Sequence, residues 1–244
     1  MISTLQALAG ISTKIIDTSK ASINFNGNLP ISIEVLKQLD LGRFKLKLGR
    51  KELTTKSHKN LIEGKKYWGN FFQGQGGILT ISNLCIQPEV FQSYDSFLAE
   101  EDASFFEAMG QESEKFKDFL LHQLSESPLN KESFAIFSSM LLALKRGVVH
   151  LPFLKEGKKS LLQFRYVNQN SIEFYAAFEN IGPIEGLLER ANAKFELTLH
   201  AAYDKSLLYL QKELDKLDII TKLSLQPEIV PLYDTNDLTL DLKG

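Results

Sequence analysis

Leu162-Gln-Phe-Arg-Tyr-Val-Asn-Gln-Asn-Ser-Ile-Glu-Phe-Tyr-Ala-Ala-Phe178 decides the fold class. Leu162, Phe164 and Tyr166 alternate with Gln163 and Arg165. After Asn168-Gln-Asn170, Ile172, Phe174, Ala176 and Phe178 alternate with Glu173 and Tyr175. Apolar residues at every second position place one face of an extended chain on a core. Two such runs joined by turn-forming residues predict an antiparallel hairpin.

The pattern extends in both directions. Val148-Val-His-Leu-Pro-Phe153 predicts a strand, followed by a turn at Lys155-Glu-Gly-Lys-Lys159. Asn180-Ile-Gly-Pro183 breaks the alternation and predicts a short helix or turn through Ala191. Phe195, Leu197 and Leu199 resume it against Glu196, Thr198 and His200. Asp204 then caps a helix whose apolar stripe is Leu207, Leu210, Leu214 and Leu217, and Ile219 to Leu225 predict another strand. A strand-helix-strand crossover beside a hairpin predicts a β-α-β two-layer domain over 148–244. Its tail, Tyr233 to Gly244, reads as a last edge strand or a loose end.

Upstream, residues 88–147 predict a helical connector. Pro88 suits a first helical position, with Val90, Phe91, Tyr94, Phe97 and Leu98 at helical spacing. Asp102 or Ser104 opens a short helix to Met109, and Ser113 to Leu124 carries Phe116, Phe119, Leu120 and Leu124 on one face. Pro128, with Ser127 as N-cap, opens a further helix that closes at Gly147. Residues 30–87 alternate again, at Ile31/Ile33/Val35 and Phe44/Leu46/Leu48, with glycine turns at Gly49-Arg-Lys51 and Gly74-Gln-Gly-Gly77. Several short strands with such turns predict a small β-barrel of OB or SH3-like type. Residues 1–29 predict an arm or linker. The fold class is therefore α+β: barrel, connector, C-terminal layer domain.

Among 244 residues, 43% are hydrophobic, 24% are charged and 17 are Phe, which suits a buried aromatic core and excludes disorder throughout. A net charge of −2 lacks the basic excess of a domain given over to nucleic acid. Cys85 is the single cysteine, so no intrachain disulfide forms, and its apolar neighbours predict a small buried residue. No signal peptide and no membrane-length apolar run is present, so a cytoplasmic location is expected.

Catalytic spacing is missing. His58, His122, His150 and His200 form no HxxxH, HxH or HExxH pattern. His200 is expected at the surface. No nucleophile elbow and no phosphate loop occurs: Gly74–Gly77 lacks the Lys-Ser ending and lies between strands. The clusters Glu100-Glu-Asp102 and Asp234/Asp237/Asp241 lack the glycine and final glutamate of a calcium loop. No catalytic residue, cofactor or metal is therefore expected. Lys65, Lys66, Tyr67 and Trp68 are the candidate binding surface, in a barrel that also carries Arg43, Lys45, Lys47, Arg50 and Lys51. Basic side chains interleaved with aromatics hold single-stranded nucleic acid; the same aromatics also suit a core.

Gly42-Arg-Phe-Lys-Leu-Lys-Leu-Gly-Arg-Lys-Glu-Leu-Thr-Thr-Lys-Ser57 and Leu61-Ile-Glu-Gly-Lys-Lys-Tyr-Trp68 resemble the small β-domain of bacterial flagellar hook-length control proteins. Ser171 to Phe178, Phe195 to Leu199, the Leu207/Leu210/Leu214/Leu217 helix and Ile219 to Leu225 are similar to the globular C-terminal domain of that family. In the family this domain contacts the flagellar export gate when substrate specificity switches. The chain lacks the family's long Pro/Gln/Ser-rich stretch, and Leu151-Pro152 matches its Leu-x-Pro-x-x-Leu-Gly strand only in part. The resemblance implies a protein that binds other proteins, with export components as partners. The leading expectation is thus a non-enzymatic protein-interaction or scaffolding module. A nucleic-acid-binding module and an enzyme whose site forms only in three dimensions are the alternatives.

Overall fold

The computed structural model describes residues 7–8, 11–12, 29–40, 42–57, 59–73, 79–93, 96–98, 113–125, 129–191, 194–214, 216 and 219–235. The expected arm before residue 29, the helix at 102–109, the Gly74–Gly77 turn, Leu217 and the tail beyond Thr235 lie wholly or largely outside these residues. The chain is an α+β protein of two compact units: Met1–Gln87 with Asn180–Gly182, and Pro88–Glu179 with Pro183–Gly244.

The first unit holds a short antiparallel pair, β1 (Ala7–Leu8) and β2 (Ile11–Ser12), and a five-stranded antiparallel sheet. The sheet strands are β3 (Ile31–Asp40), β4 (Arg43–Leu48), β5 (Lys51–Lys56), β6 (Lys66–Gln73) and β7 (Leu79–Ile86), in the order β5-β4-β3-β6-β7. Period two holds here as expected. Phe44, Leu46 and Leu48 are buried while Arg43, Lys45 and Lys47 are not. They meet Ile33, Val35, Leu61 and Tyr67 in one core. Gly49-Arg50 closes the β4–β5 hairpin, and Gly49 takes φ +56°, which L-residues avoid. Strand β3 changes partner along its length, pairing with β6 over Ile31–Glu34 and with β4 over Glu34–Asp40.

The second unit is a six-stranded mixed sheet with helices. Its strands are β8 (Val149–Lys155), β9 (Lys158–Asn168), β10 (Ser171–Phe178), β11 (Gly182–Ala191), β12 (Lys194–Ala201) and β13 (Ile220–Leu225), ordered β13-β12-β11-β10-β9-β8. The expected hairpin is present, with Phe174 opposite Phe164. One expectation is corrected: residues 182–191 form strand β11 instead of a helix or turn. Gly186 lies within this strand, where a side chain has no room. A Cβ there would sit 2.6 Å from the Phe174 ring and 2.5 Å from the Thr198 carbonyl oxygen. The ring of β10 fills the space the glycine leaves, which keeps β11 in the ladder.

Helices α1 (Ser113–Ser125) and α2 (Lys131–Lys145) cover one face of β8 and β9. Phe116, Leu120, Ile136, Phe137 and Met140 pack with Leu151, and Val149, Leu162 and Phe164 adjoin them. Helix α2 starts three residues later than the Pro128 reading: Asn130 is the N-cap, its side chain accepting the Ser133 N–H at 2.7 Å. The helix ends as expected, with Gly147 at φ +76°. Helix α3 (Asp204–Leu214) links β12 to β13, which pair in parallel as the crossover predicts. The helix expected from Pro88 to Leu98 is instead a single 3₁₀ turn, Glu89–Gln92, and Leu98 then bridges to Phe153.

The opposite face of β8–β10 is also covered. His150, Pro152, Leu161, Gln163, Tyr175 and Ala177 are buried there. Buried Lys159 extends its ammonium to the carbonyl oxygens of Phe91 and Ser93, both at 2.9 Å, and over the Phe97 ring. That grip fixes the Glu89–Ser93 stretch, since charge-assisted bonds in a dry setting are the strong ones.

Gly186→Ala should lower stability by ~1–3 kcal/mol, read as a shift of the urea midpoint; an unchanged midpoint would show that the Phe174 ring yields freely. Lys159→Met keeps the aliphatic stem and removes the donor. Its amides at 89–93 and 98 should exchange with solvent at least tenfold faster than in the parent, with the β12–β13 amides unaffected.

Candidate functional site

The four residues singled out in the sequence do not share an exposed surface. Lys66 begins β6, so Tyr67 and Trp68 point to opposite faces of the sheet. Tyr67 joins the core beside Ile33, and its hydroxyl accepts the Ile62 N–H at 3.0 Å. Trp68, opposite Ser32 and Cys85, is 0% exposed. Lys65 and Lys66 are half-buried, and their backbone carbonyls accept the N–H groups of Val35 and Gln87 at 3.0 and 2.9 Å. A ligand base cannot stack on either aromatic in this arrangement. The neighbouring cations are also paired: Lys45 with Glu52 at 2.6 Å, Lys47 with Glu34 at 3.6 Å, and Arg43 with Asp40. Cys85 is half-buried, less enclosed than its neighbours in the sequence suggest.

A concave feature lies in the second unit. Helix α1 turns Phe116, Leu120 and Leu124 toward the sheet and leaves Glu114, Lys117 and Leu121 on the adjoining stripe. The last turn of α2 contributes Leu141, Leu144 and Lys145. The chain then bends at Gly147, and Val149, Phe164, Arg165 and Tyr166 complete an open groove of about 760 Å³. Its floor is apolar. Leu121 is 44% exposed, and Tyr166 is 68% exposed with its ring edge-on to Phe164. Three cations and one carboxylate line it. Lys117 pairs with Glu114 at 3.4 Å and Arg165 with Glu173 at 2.7 Å, while Lys145 has no ion-pair partner among the described residues.

The groove borders an open ladder. Strand β8 begins at Val149, opposite Phe164, whereas β9 runs on to Asn168. From Arg165 to Asn168, β9 is paired with β10 on one edge. No described strand occupies the other. Tyr166 and Val167 (57% exposed) stand in this overhang.

A second polar constellation is enclosed. The Gln163 side-chain amide donates to the Tyr233 carbonyl oxygen at 2.6 Å and to His150 Nδ1 at 2.8 Å, and its oxygen accepts the Tyr233 N–H at 3.2 Å. The acceptor role of Nδ1 leaves the proton of the neutral ring on Nε2. Burial pushes the His150 imidazole down to about 3 from the usual 6.5. The ring meets Tyr233 edge-on at 5.2 Å, and the Arg146 guanidinium lies 5.8 Å from the centre of the Tyr233 ring. With His150 and Gln163 shut away from solvent, this network pins the returning 229–235 segment to β8 and β9 rather than meeting a substrate. Gln163 was legible only as a polar residue on an outward face. His200, on the polar side of β12, is half-buried and bonds Ser224 at 2.6 Å.

Among the described residues, no three His, Cys, Asp or Glu side chains gather as a metal site, and no helix is long and apolar enough to cross a membrane. 

The neutral His150 makes stability depend on pH. Its folded pKa lies below its unfolded value, so its contribution is complete above pH 6.5 and is lost as pH falls toward 3. In that window the parent should lose ~1.4 kcal/mol per pH unit more than His150→Leu, measured by urea unfolding at stepped pH. Parallel pH profiles for the two proteins would show that the imidazole is charged in the fold.

The chain matches no family model, and no curated protein or solved structure is significantly similar to it.

Proposed function

We propose that this chain is a non-enzymatic protein-interaction or scaffolding module that works through the groove between α1, α2 and the end of β9. The observation that carries this reading is the groove itself: an apolar floor left uncovered in a unit whose other sheet face is closed by irregular chain. Apolar surface of this kind, rimmed by charge, is where proteins associate. The flagellar form of the proposal rests on the resemblance of residues 42–68 and 171–225, and it places the partners among export components in the cytoplasm. In the same reading the five-stranded sheet is a curled, barrel-like domain of the OB or SH3 type. Register shifts in β3–β4 and β6–β7 support that curl, because a bulge bends the strand that carries it. The C-terminal unit corresponds to the two-layer β-α-β domain, supported by the parallel β12–β13 pair.

The test is capture from the native cells with tagged parent and with a Leu121→Asp/Tyr166→Asp double variant. Both side chains are exposed enough for the variant to fold, and its melting temperature serves as the control. The parent should recover a defined protein, flagellar export components in the flagellar form, and the variant should recover at least tenfold less. Equal recovery by the two proteins rejects the groove, and recovery of nucleic acid in place of protein rejects the module.

A further inference from the structure

We propose that the groove receives an extended segment of a partner protein, with apolar residues alternating with acidic ones, as an added strand on the Arg165–Asn168 edge of β9. The inference rests on the groove being an interaction site and specifies what enters it.

Two observations select this occupant. The first is backbone chemistry. Strand β9 outruns β8, which enters the ladder only at Val149, and the chain N-terminal to Val149 turns away through Gly147 into α2. The line that β8 would have continued along is vacant among the described residues. A strand edge offers N–H and C=O groups at fixed spacing, and an incoming extended peptide satisfies them. A helix laid in the groove has its own backbone bonds closed and leaves that edge as it was. The overhang of four residues, Arg165 to Asn168, gives a span of ~13 Å.

The second observation is the surface presented to the side chains. Alternate residues of an added strand face the same side as Phe164 and Tyr166, over the floor formed with Val149, Leu144 and Leu121. These positions call for Val, Leu or Ile. The groove carries Lys117, Lys145 and Arg165 against one carboxylate, Glu114, and Lys145 has no ion-pair partner among the described residues. The remaining positions point to the Arg165 side of the sheet; acidic residues there complement the cation excess of the groove through its overall field, without direct ion pairs to Lys117 or Lys145, whereas lysines oppose it.

The experiment uses the full chain and four synthetic heptapeptides labelled for fluorescence polarisation: Asp-Leu-Glu-Val-Asp-Leu-Glu, its counterpart with every acidic residue replaced by lysine, and two forms of the acidic peptide N-methylated at alternate residues, one in each phase. N-methylation removes ladder donors without altering charge or side chains, and the two phases add the same kind of methyl group. The acidic peptide should bind at least tenfold more tightly than the lysine peptide. One N-methyl phase should abolish binding and the other should leave it within threefold. Lys145→Glu should weaken the acidic peptide and strengthen the lysine peptide. Equal binding of both N-methyl phases and the unmodified peptide overturns strand addition, as does absence of acidic-peptide binding. A concentration-dependent dimer in sedimentation velocity that Tyr166→Asp abolishes overturns it too, by assigning the groove to a second copy. The broader reading is judged separately: if cellular capture still depends on Leu121 and Tyr166 while the peptides fail, the groove is an interface for a partner of another shape.

Discussion

From Lys159 to Phe164, strand β9 is covered on both faces, and every polar group enclosed on it must find a partner or cost several kcal/mol. The second unit is organised by how that requirement is met. On one face the solution is apolar: Leu162 and Phe164 lie under α1 and α2. On the other, Lys159 and Gln163 reach backbone groups of irregular chain, at Phe91 and Ser93 and at Tyr233. Those segments have few regular bonds of their own, so β9 side chains supply what a ladder would otherwise provide. The turn at 89–92 and the run at 229–235 are therefore parts of the core despite having no strand or helix to announce them.

This explains which parts of the fold were legible. Period-two runs at 44–48, 162–166, 172–178 and 195–199 identify strands because one face of each is uniformly apolar. The helix stripe at Phe116, Phe119, Leu120 and Leu124 is legible for the same reason. Strand β11 was hidden, since Asn180-Ile-Gly-Pro183 signals a break, and the close approach of the Phe174 ring and the Thr198 carbonyl shows how the ladder continues through Gly186. Gln163 looked outward because alternation identifies the two faces of a strand but does not reveal that distant chain will cover the polar one. The α2 cap was displaced from the expected Ser127 to Asn130, whose side chain accepts the Ser133 N–H.

The candidate site was less legible than the fold. Tyr67 and Trp68 attract notice as adjacent aromatics among lysines, yet adjacency on a strand means opposite faces, and both faces are filled. The groove is assembled from residues that a linear reading passes over. Glu114, Lys117 and Leu121 are the remainder of a helix stripe already assigned to the core. Tyr166 and Val167 are the end of a strand already assigned to a hairpin. Their significance lies in the different lengths of β8 and β9, a property of pairing that no short window of sequence contains.

The reach of β9 across the sequence also bears on the order of assembly. Strands β8, β9 and β10 are successive hairpins, whose contacts close short loops and form early and cheaply in chain entropy. Gln163 and Tyr233 are separated by 70 residues and Lys159 and Phe91 by 68. Neither clasp has a surface to close upon until the hairpins exist. The buried polar side chains of β9 thus act as late fasteners, and a chain stalled before they engage would carry the sheet while exposing the whole of its second face.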